Sequence, residues 1–392
     1  MLSVLSWARK APGARKVLAW VSLGLASAGL AACGPMATGP SLTGGEAVQV
    51  ALLVPSGSGQ ASDEYLARSL ENAARLAMAD LGGVRVDLRV YPTAGQASQA
   101  ASAATQAVSD GARIILGPVF AQEANAAGNA IASSGDSILS FSNNPAIAGG
   151  NVFVLGTTFP NIANRLSRYA VRQGKGNIMI LHDRTPAGDV GRAAIEAGIA
   201  AASGSVAGVM GNEFSQTGIV EAAPAMAAAA RSNGANALFL TADTAGSLPL
   251  LTQLLRDNGL TPAVIQFIGL TRWDIPPATL ALPGVQGGWF ALPDPSLYEQ
   301  YVQRYTAAYA TPPHPVSGLA YDGIAAIGAL ARSGGGLSAA ALTQGSGFAG
   351  VTGVFRLLPD GSNERGLAVA EIRNNQIVVI DPAPRSFGGV GF

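Results

Sequence analysis

The chain holds little of what enzymes are usually built from: one cysteine, two histidines and only 12% charged side chains among 392 residues. A single thiol leaves no disulfide to form within the chain. Cys33, His182 and His314 together fall short of a zinc site of the usual nitrogen and sulfur kind, so no metal is expected. His182 beside Asp183 is the one juxtaposition that suggests acid–base work, and a strand-end histidine satisfied by local hydrogen bonds is the simpler account of it. Neither a G-x-S-x-G nucleophile elbow nor a P-loop occurs. Gly345-Ser346-Gly347-Phe348-Ala349-Gly350 matches G-x-G-x-x-G by letter, but the dinucleotide motif leaves a strand and opens a helix, whereas this run precedes a strand pattern. The expectation is a non-catalytic protein without a cofactor. There is also no charge excess of one sign, 24 basic residues standing against 24 acidic, which argues against a nucleic-acid partner.

What is present begins at the N-terminus. Arg9, Lys10, Arg15 and Lys16 come without an acidic residue and are followed by an apolar run from Val17 to Leu30, too short to span a bilayer comfortably. Small residues then close the stretch Leu30-Ala31-Ala32-Cys33-Gly34, completing the three-part layout of a secretory signal. A thiol just past a small-residue cleavage point can take a lipid thioether, and the pattern resembles a bacterial lipoprotein signal with its lipobox. The other reading is an ordinary signal peptide with a chance cysteine. The resemblance implies a signal peptide over 1–32, lipidation at Cys33 and a periplasmic, lipid-anchored protein; Gly34, in place of Asp, points to the outer membrane of a two-membrane bacterium. Residues 33–45, rich in Gly, Pro, Ser and Thr, read as a flexible tether. Cleavage would leave 360 residues with 20 basic and 24 acidic side chains, enough for two domains.

From Val48 onward, strand and helix patterns alternate. Val48 to Val54 is a nearly continuous apolar run suited to a strand covered on both faces, and Asp63 to Asp80 repeats apolar residues at helical spacing. Further pairs run to a strand at Ser137 to Phe141, then, after the irregular stretch Ser142 to Phe159, a second series runs from a helix at Asn161 to a strand ending at Gly269. Such alternation predicts α/β architecture with two doubly wound parallel-sheet lobes. Val354 to Leu358, Leu367 to Arg373 and Gln376 to Ile380 are predicted as antiparallel hairpins around Pro359-Asp360-Gly361 and Asn374-Asn375.

In open α/β sheets ligands bind beyond the carboxyl ends of the strands, which selects Ser56, Gln122, Ser142, Asn143, Asp243 and Arg272 as candidate ligand-binding residues. For any one of them, capping the next helix is the alternative use. Arg272 is the residue best able to clamp a carboxylate.

The series Val48-Gln49-Val50-Ala51-Leu52-Leu53-Val54-Pro55, Asp110-Gly111-Ala112 before Leu116-Gly117-Pro118, Ser140 to Pro145, and Leu181-His182-Asp183 with Gly188 opening a helix resembles the periplasmic leucine/isoleucine/valine-binding family. That resemblance implies the type I periplasmic binding protein fold, two lobes joined by a multi-strand hinge. Carried onto this chain, lobe 1 spans 46–157 plus 293–345, lobe 2 spans 158–292 plus 346–382, and 383–392 is a tail. The family's amino-acid site carries over poorly. Ala121-Gln122 and Ser142-Asn143 stand where small hydroxyl residues hold the α-carboxylate, Pro186-Ala187 where an aromatic residue is expected, and Leu270-Thr271-Arg272 where an acidic residue meets the α-amine, with Asp274 the nearest carboxylate. With Ile115 to Phe120 and Leu139 to Asn144, a lipid-anchored chain with such a site resembles the penicillin-binding protein activator lipoproteins. That branch implies a regulator of a penicillin-binding protein in peptidoglycan synthesis; the alternative is a solute-binding receptor of an ABC importer for amino acids or related small polar ligands. The partners so implied are membrane lipid through Cys33, a peptidoglycan synthase or an ABC permease, and a small polar ligand.

Overall fold

Strand β1 (Val48–Val54) is buried along nearly its whole length, as the middle of a parallel sheet demands of an apolar run. The computed structural model describes residues 47–387, so the predicted signal peptide, Cys33 and the tether lie outside the described residues. After β1 come α1 (Ala61–Ala79), β2 (Val86–Pro92), α2 (Ala97–Ser109), β3 (Ile114–Leu116), α3 (Ala121–Ala130), β4 (Ser137–Ser140) and β5 (Val152–Val154). All five strands pair in parallel in the order β2-β1-β3-β4-β5. Leu66, Leu70, Ala73, Ala74 and Ala77 of α1 bury one helical face on this sheet, while Ala100, Ala104 and Ala107 of α2 cover the other.

The chain then crosses to a second sheet through α4 (Phe159–Arg172), β6 (Asn177–Asp183), α5 (Pro186–Ala201), β7 (Ser205–Asn212), α6 (Gln216–Ser232), β8 (Ala237–Leu240), α7 (Leu248–Asp257), β9 (Gln266–Gly269) and β10 (Trp289–Leu292). It returns for α8 (Pro295–Tyr309), α9 (Gly318–Ser333) and α10 (Ala339–Leu342), which complete the first core with Tyr301, Tyr305, Ile324, Ile327 and Leu342. Strands β11 (Phe348–Gly350), β12 (Gly353–Leu357) and β13 (Asn363–Arg365) make a small antiparallel sheet, and β14 (Ala368–Arg373) and β15 (Gln376–Asp381) add antiparallel strands to the second sheet, ordered β15-β14-β10-β9-β8-β6-β7. Asn374 and Asn375 both take positive φ, the geometry of a tight two-residue hairpin turn.

Two expectations need correction. Residues 348–357, assigned from the sequence to lobe 2, pack into the first core, because Phe348, Val351, Phe355 and Leu357 turn their side chains onto it. The expected hairpin between Val354–Leu358 and Leu367–Arg373 does not form: β12 pairs with β13, and β14 pairs with β10 and β15.

Candidate functional site

The carboxyl ends of the strands of both sheets face a cleft of about 540 Å³ at the three chain crossings, β5 to α4, β10 to α8 and β13 to β14. The wall from the first sheet begins at Gly117, where a positive φ and the closeness of the Leu53 carbonyl exclude any Cβ. Beyond it, Ser140 Oγ donates to the Pro118 carbonyl (3.0 Å), and Ser142 Oγ accepts from the Asn144 N–H (3.1 Å). Ser142 and Asn143 thereby sit on the cleft wall.

The opposite wall is the loop after β9. Trp273 is fully buried, its indole lying over Gly269 and Gly288 where a Cβ would overlap the ring, and it anchors its two neighbours. Arg272 lines the cleft, but its fork is closed on Asp274: Nε donates to Oδ1 (2.6 Å) and Nη2 to Oδ2 (2.5 Å). One bidentate edge of the carboxylate clamp expected of Arg272, Nε with Nη2, is therefore already occupied. The same pairing occupies Asp274. Among the residues that line the cleft there is no Asp or Glu.

The floor belongs to the crossings. Arg365 at the end of β13 donates from Nε to the Leu155 carbonyl (2.7 Å) and from Nη1 to Thr352 Oγ1 (2.6 Å), and Nη1 lies 3.4 Å from Asp322 Oδ2. Its guanidinium stacks over Phe355, and its Nη2 is buried without a hydrogen-bond partner. Asp322, on α9, also accepts from the Val351 N–H (2.8 Å) and from the Thr352 hydroxyl. Burial pushes the Asp322 carboxyl upward against the pull of Arg365, and pushes the Arg365 guanidinium downward. From the other lobe, Arg165 of α4 donates to the Leu367 carbonyl (2.6 Å) and pairs with Asp381 (2.9 Å), pinning the same crossing. Gly350, last of the G-x-G-x-x-G letters, lies against the Asp322 carboxylate too closely for any Cβ.

Of the candidates read from the sequence, Ser142, Asn143 and Arg272 line the cleft, and Ser56, Gln122 and Asp243 do not. Phe120 and Ala121 face it, but one residue further the helix turns Gln122 out to solvent. Asp243 is exposed, its carbonyl accepting from the Gly246 and Leu248 N–H groups, and the Ser56 carbonyl holds the Ala94 N–H. His182 does not pair with Asp183, which accepts from Asn212 (2.9 Å) and Ser247 (2.6 Å); the nearest acid to His182 Nδ1 is Asp189 at 3.6 Å. Arg365, Thr352 and Leu367 were not anticipated.

His314 stands just before Pro315 and Val316 of the cleft wall, with Nδ1 accepting from the Val316 N–H (3.2 Å). Burial holds this imidazole below its ordinary value. The unfolded chain therefore takes the proton first, so this contribution to stability is complete above about pH 6.5 and is lost as pH falls toward the folded value. Urea midpoints should fall as pH is lowered from about 7 to about 5, and His314→Asn should flatten that part of the profile.

A sequence profile of the periplasmic binding protein family matches residues 47–376. No curated protein sequence matches. Among solved structures, a branched-chain amino acid ABC transporter periplasmic ligand-binding protein from Burkholderia xenovorans superposes with a TM-score of 0.68 at 17% identity, covering 88% of this chain and 97% of that one. An ABC transporter substrate-binding protein from Desulfitobacterium hafniense in complex with Leu gives 0.64 at 16% identity, covering 86% and 100%. A solute binding protein of an ABC transporter from Rhodopseudomonas palustris, in complex with 3,4-dihydroxybenzoic acid, gives 0.59 at 17%, covering 86% and 96%. At such identities these likenesses speak for the fold alone.

Proposed function

We propose, from the premise that this chain belongs to the periplasmic binding protein family, that it is the solute receptor of an ABC importer and performs no chemistry on what it binds. The observation that carries this is the cleft itself, walled by both lobes, floored by three chain crossings and mostly apolar, with a few polar groups on its rim. A solute touching both walls favours the closed arrangement by as much as it binds that arrangement better. The structures in complex with Leu and with 3,4-dihydroxybenzoic acid support a small-molecule occupant, and the transport proteins they represent support a permease as partner. The regulator of peptidoglycan synthesis, placed first on the sequence, gains nothing from the family match or from the cleft, and the receptor replaces it as the leading reading. In that reading Cys33 keeps the receptor at a membrane surface, and the tether raises its effective concentration near a permease.

Crosslinking in cells that carry the full chain, followed by identification of captured proteins, tests the assignment. Recovery of an ABC permease is expected. Recovery of a penicillin-binding protein in its place would restore the regulator.

A further inference from the structure

A second groove, of about 530 Å³, lies on lobe 1 apart from the cleft. One side is the half-buried stripe Tyr321, Ala325 and Ala329 of α9, the other is β11, and Leu297, 39% exposed, stands at one end. β11 is an end strand of the small sheet: it pairs with β12, and among the described residues no strand lies on its other side. Residues of an antiparallel strand turn their N–H and C=O alternately toward the partner and away from it. With Gly350 and Gly353 paired across a two-residue turn, Ala349 directs both its groups to the open side. An open strand edge beside an apolar groove is a template for one more strand.

The chain itself leads to that edge. Beyond β15 it leaves the second sheet: Pro384 lies against Gly366, and Phe387 stacks over the Arg356 guanidinium (4.6 Å) and against Gly347, the residue before β11. Gly350 lies against Asp322 near the start of α9, so the start of β11 points to the end of α9, where Arg332 lines the groove. Gly388-Gly389-Val390-Gly391-Phe392 therefore begin at that end, beside the first residue of β11. Extended, five residues reach about 17 Å, and the α9 wall from Arg332 back to Tyr321 is about 16 Å long, so segment and groove match in length. Val390 and Phe392 fall on one face of such a strand, as apolar as the groove, while Gly389 and Gly391 fall on the other. None of the five side chains is charged. We propose that residues 388–392 seat in this groove as a strand parallel to β11, extending the small sheet. Because the segment follows β15 of the second sheet, its seating ties the end of lobe 2 to the core of lobe 1.

The test is amide hydrogen exchange followed by NMR on the full chain. The Ala349 amide should exchange at least about tenfold faster once the chain is truncated after Phe387, with the Leu52 amide of β1 unchanged as the measure of intact folding. Val390→Ser/Phe392→Ser, which keeps the length of the segment and loses its apolar face, should behave as the truncation does. In the full chain the Phe392 ring should show Overhauser contacts to Tyr321 or to the Ala325 methyl. Equal Ala349 exchange in the full and truncated chains, or the absence of those contacts, would overturn the proposal. Protection that rises with protein concentration would assign the groove to a second copy, and protection that disappears only when residues 1–46 are removed would assign it to that segment. Either result overturns the proposal as well.

Discussion

Asp322→Ala should lower the free energy of unfolding by about 3–5 kcal/mol, read as a shifted urea midpoint at unchanged slope. The substitution strips the counter-charge from Arg365, whose side chain is 2% exposed, and deprives the Val351 N–H and the Thr352 hydroxyl of their acceptor. The loss comes chiefly from leaving a charge in the apolar wall, not from the pair's own attraction, since taking two charges out of water offsets most of that attraction. Removing both partners, as in Asp322→Leu/Arg365→Met, should therefore cost clearly less than the single change, although the bond to the Leu155 carbonyl is forfeited. A single variant within about 1 kcal/mol of wild type would mean that solvent reaches the guanidinium and that the cluster is not sealed.

Trp273→Ala should cost about as much, roughly 3–5 kcal/mol, through the cavity left where the indole stood. Trp273 is fully buried, and the Gly269 and Gly288 backbones that press against its ring have no side chains with which to fill the space. The converse change, Gly269→Ala, should be comparably harmful, because the new methyl would occupy the ring's position. Trp273 also fixes the loop between Arg272 and Asp274, so its loss should weaken solute binding beyond what global stability explains. Thermal denaturation and calorimetry on the same sample separate the two effects. A variant that loses stability yet binds as wild type would show that the loop keeps its form without the indole.

The alternation of strands and helices was readable because parallel strands buried on both faces are apolar throughout, as in β1, and α1 repeats its apolar residues at helical spacing. Strands β5, β11 and β13 were not read, since three residues carry no periodicity, and β10, Trp-Phe-Ala-Leu, sits in a stretch broken by prolines and glycines. At the site, the rule that solutes bind at strand ends reached Ser142, Asn143 and Arg272. It could not reach Arg365, which arrives on a crossing more than 200 residues after the Leu155 carbonyl it holds. Nor could it show Arg272 paired with Asp274, because two residues apart in a loop become a pair only through the turn between them. One signal was available: Asp322 is the sole charged residue between Gly318 and Ala331, an apolar helix that has no use for an acid unless a cation waits in the core.

The first core draws Tyr301, Tyr305, Ile324, Ile327, Phe348 and Phe355 from chain made long after β5. In a polypeptide delivered from its N-terminus, β1 to β5 must therefore wait, one sheet face covered by α1 alone, until β6 to β10 have passed. Such delay of long-range contacts is slow and exposes apolar surface in the meantime. The two lobes are thus finished nearly together, and a fragment ending before residue 293 would hold an incomplete first lobe and a second lobe lacking β14 and β15.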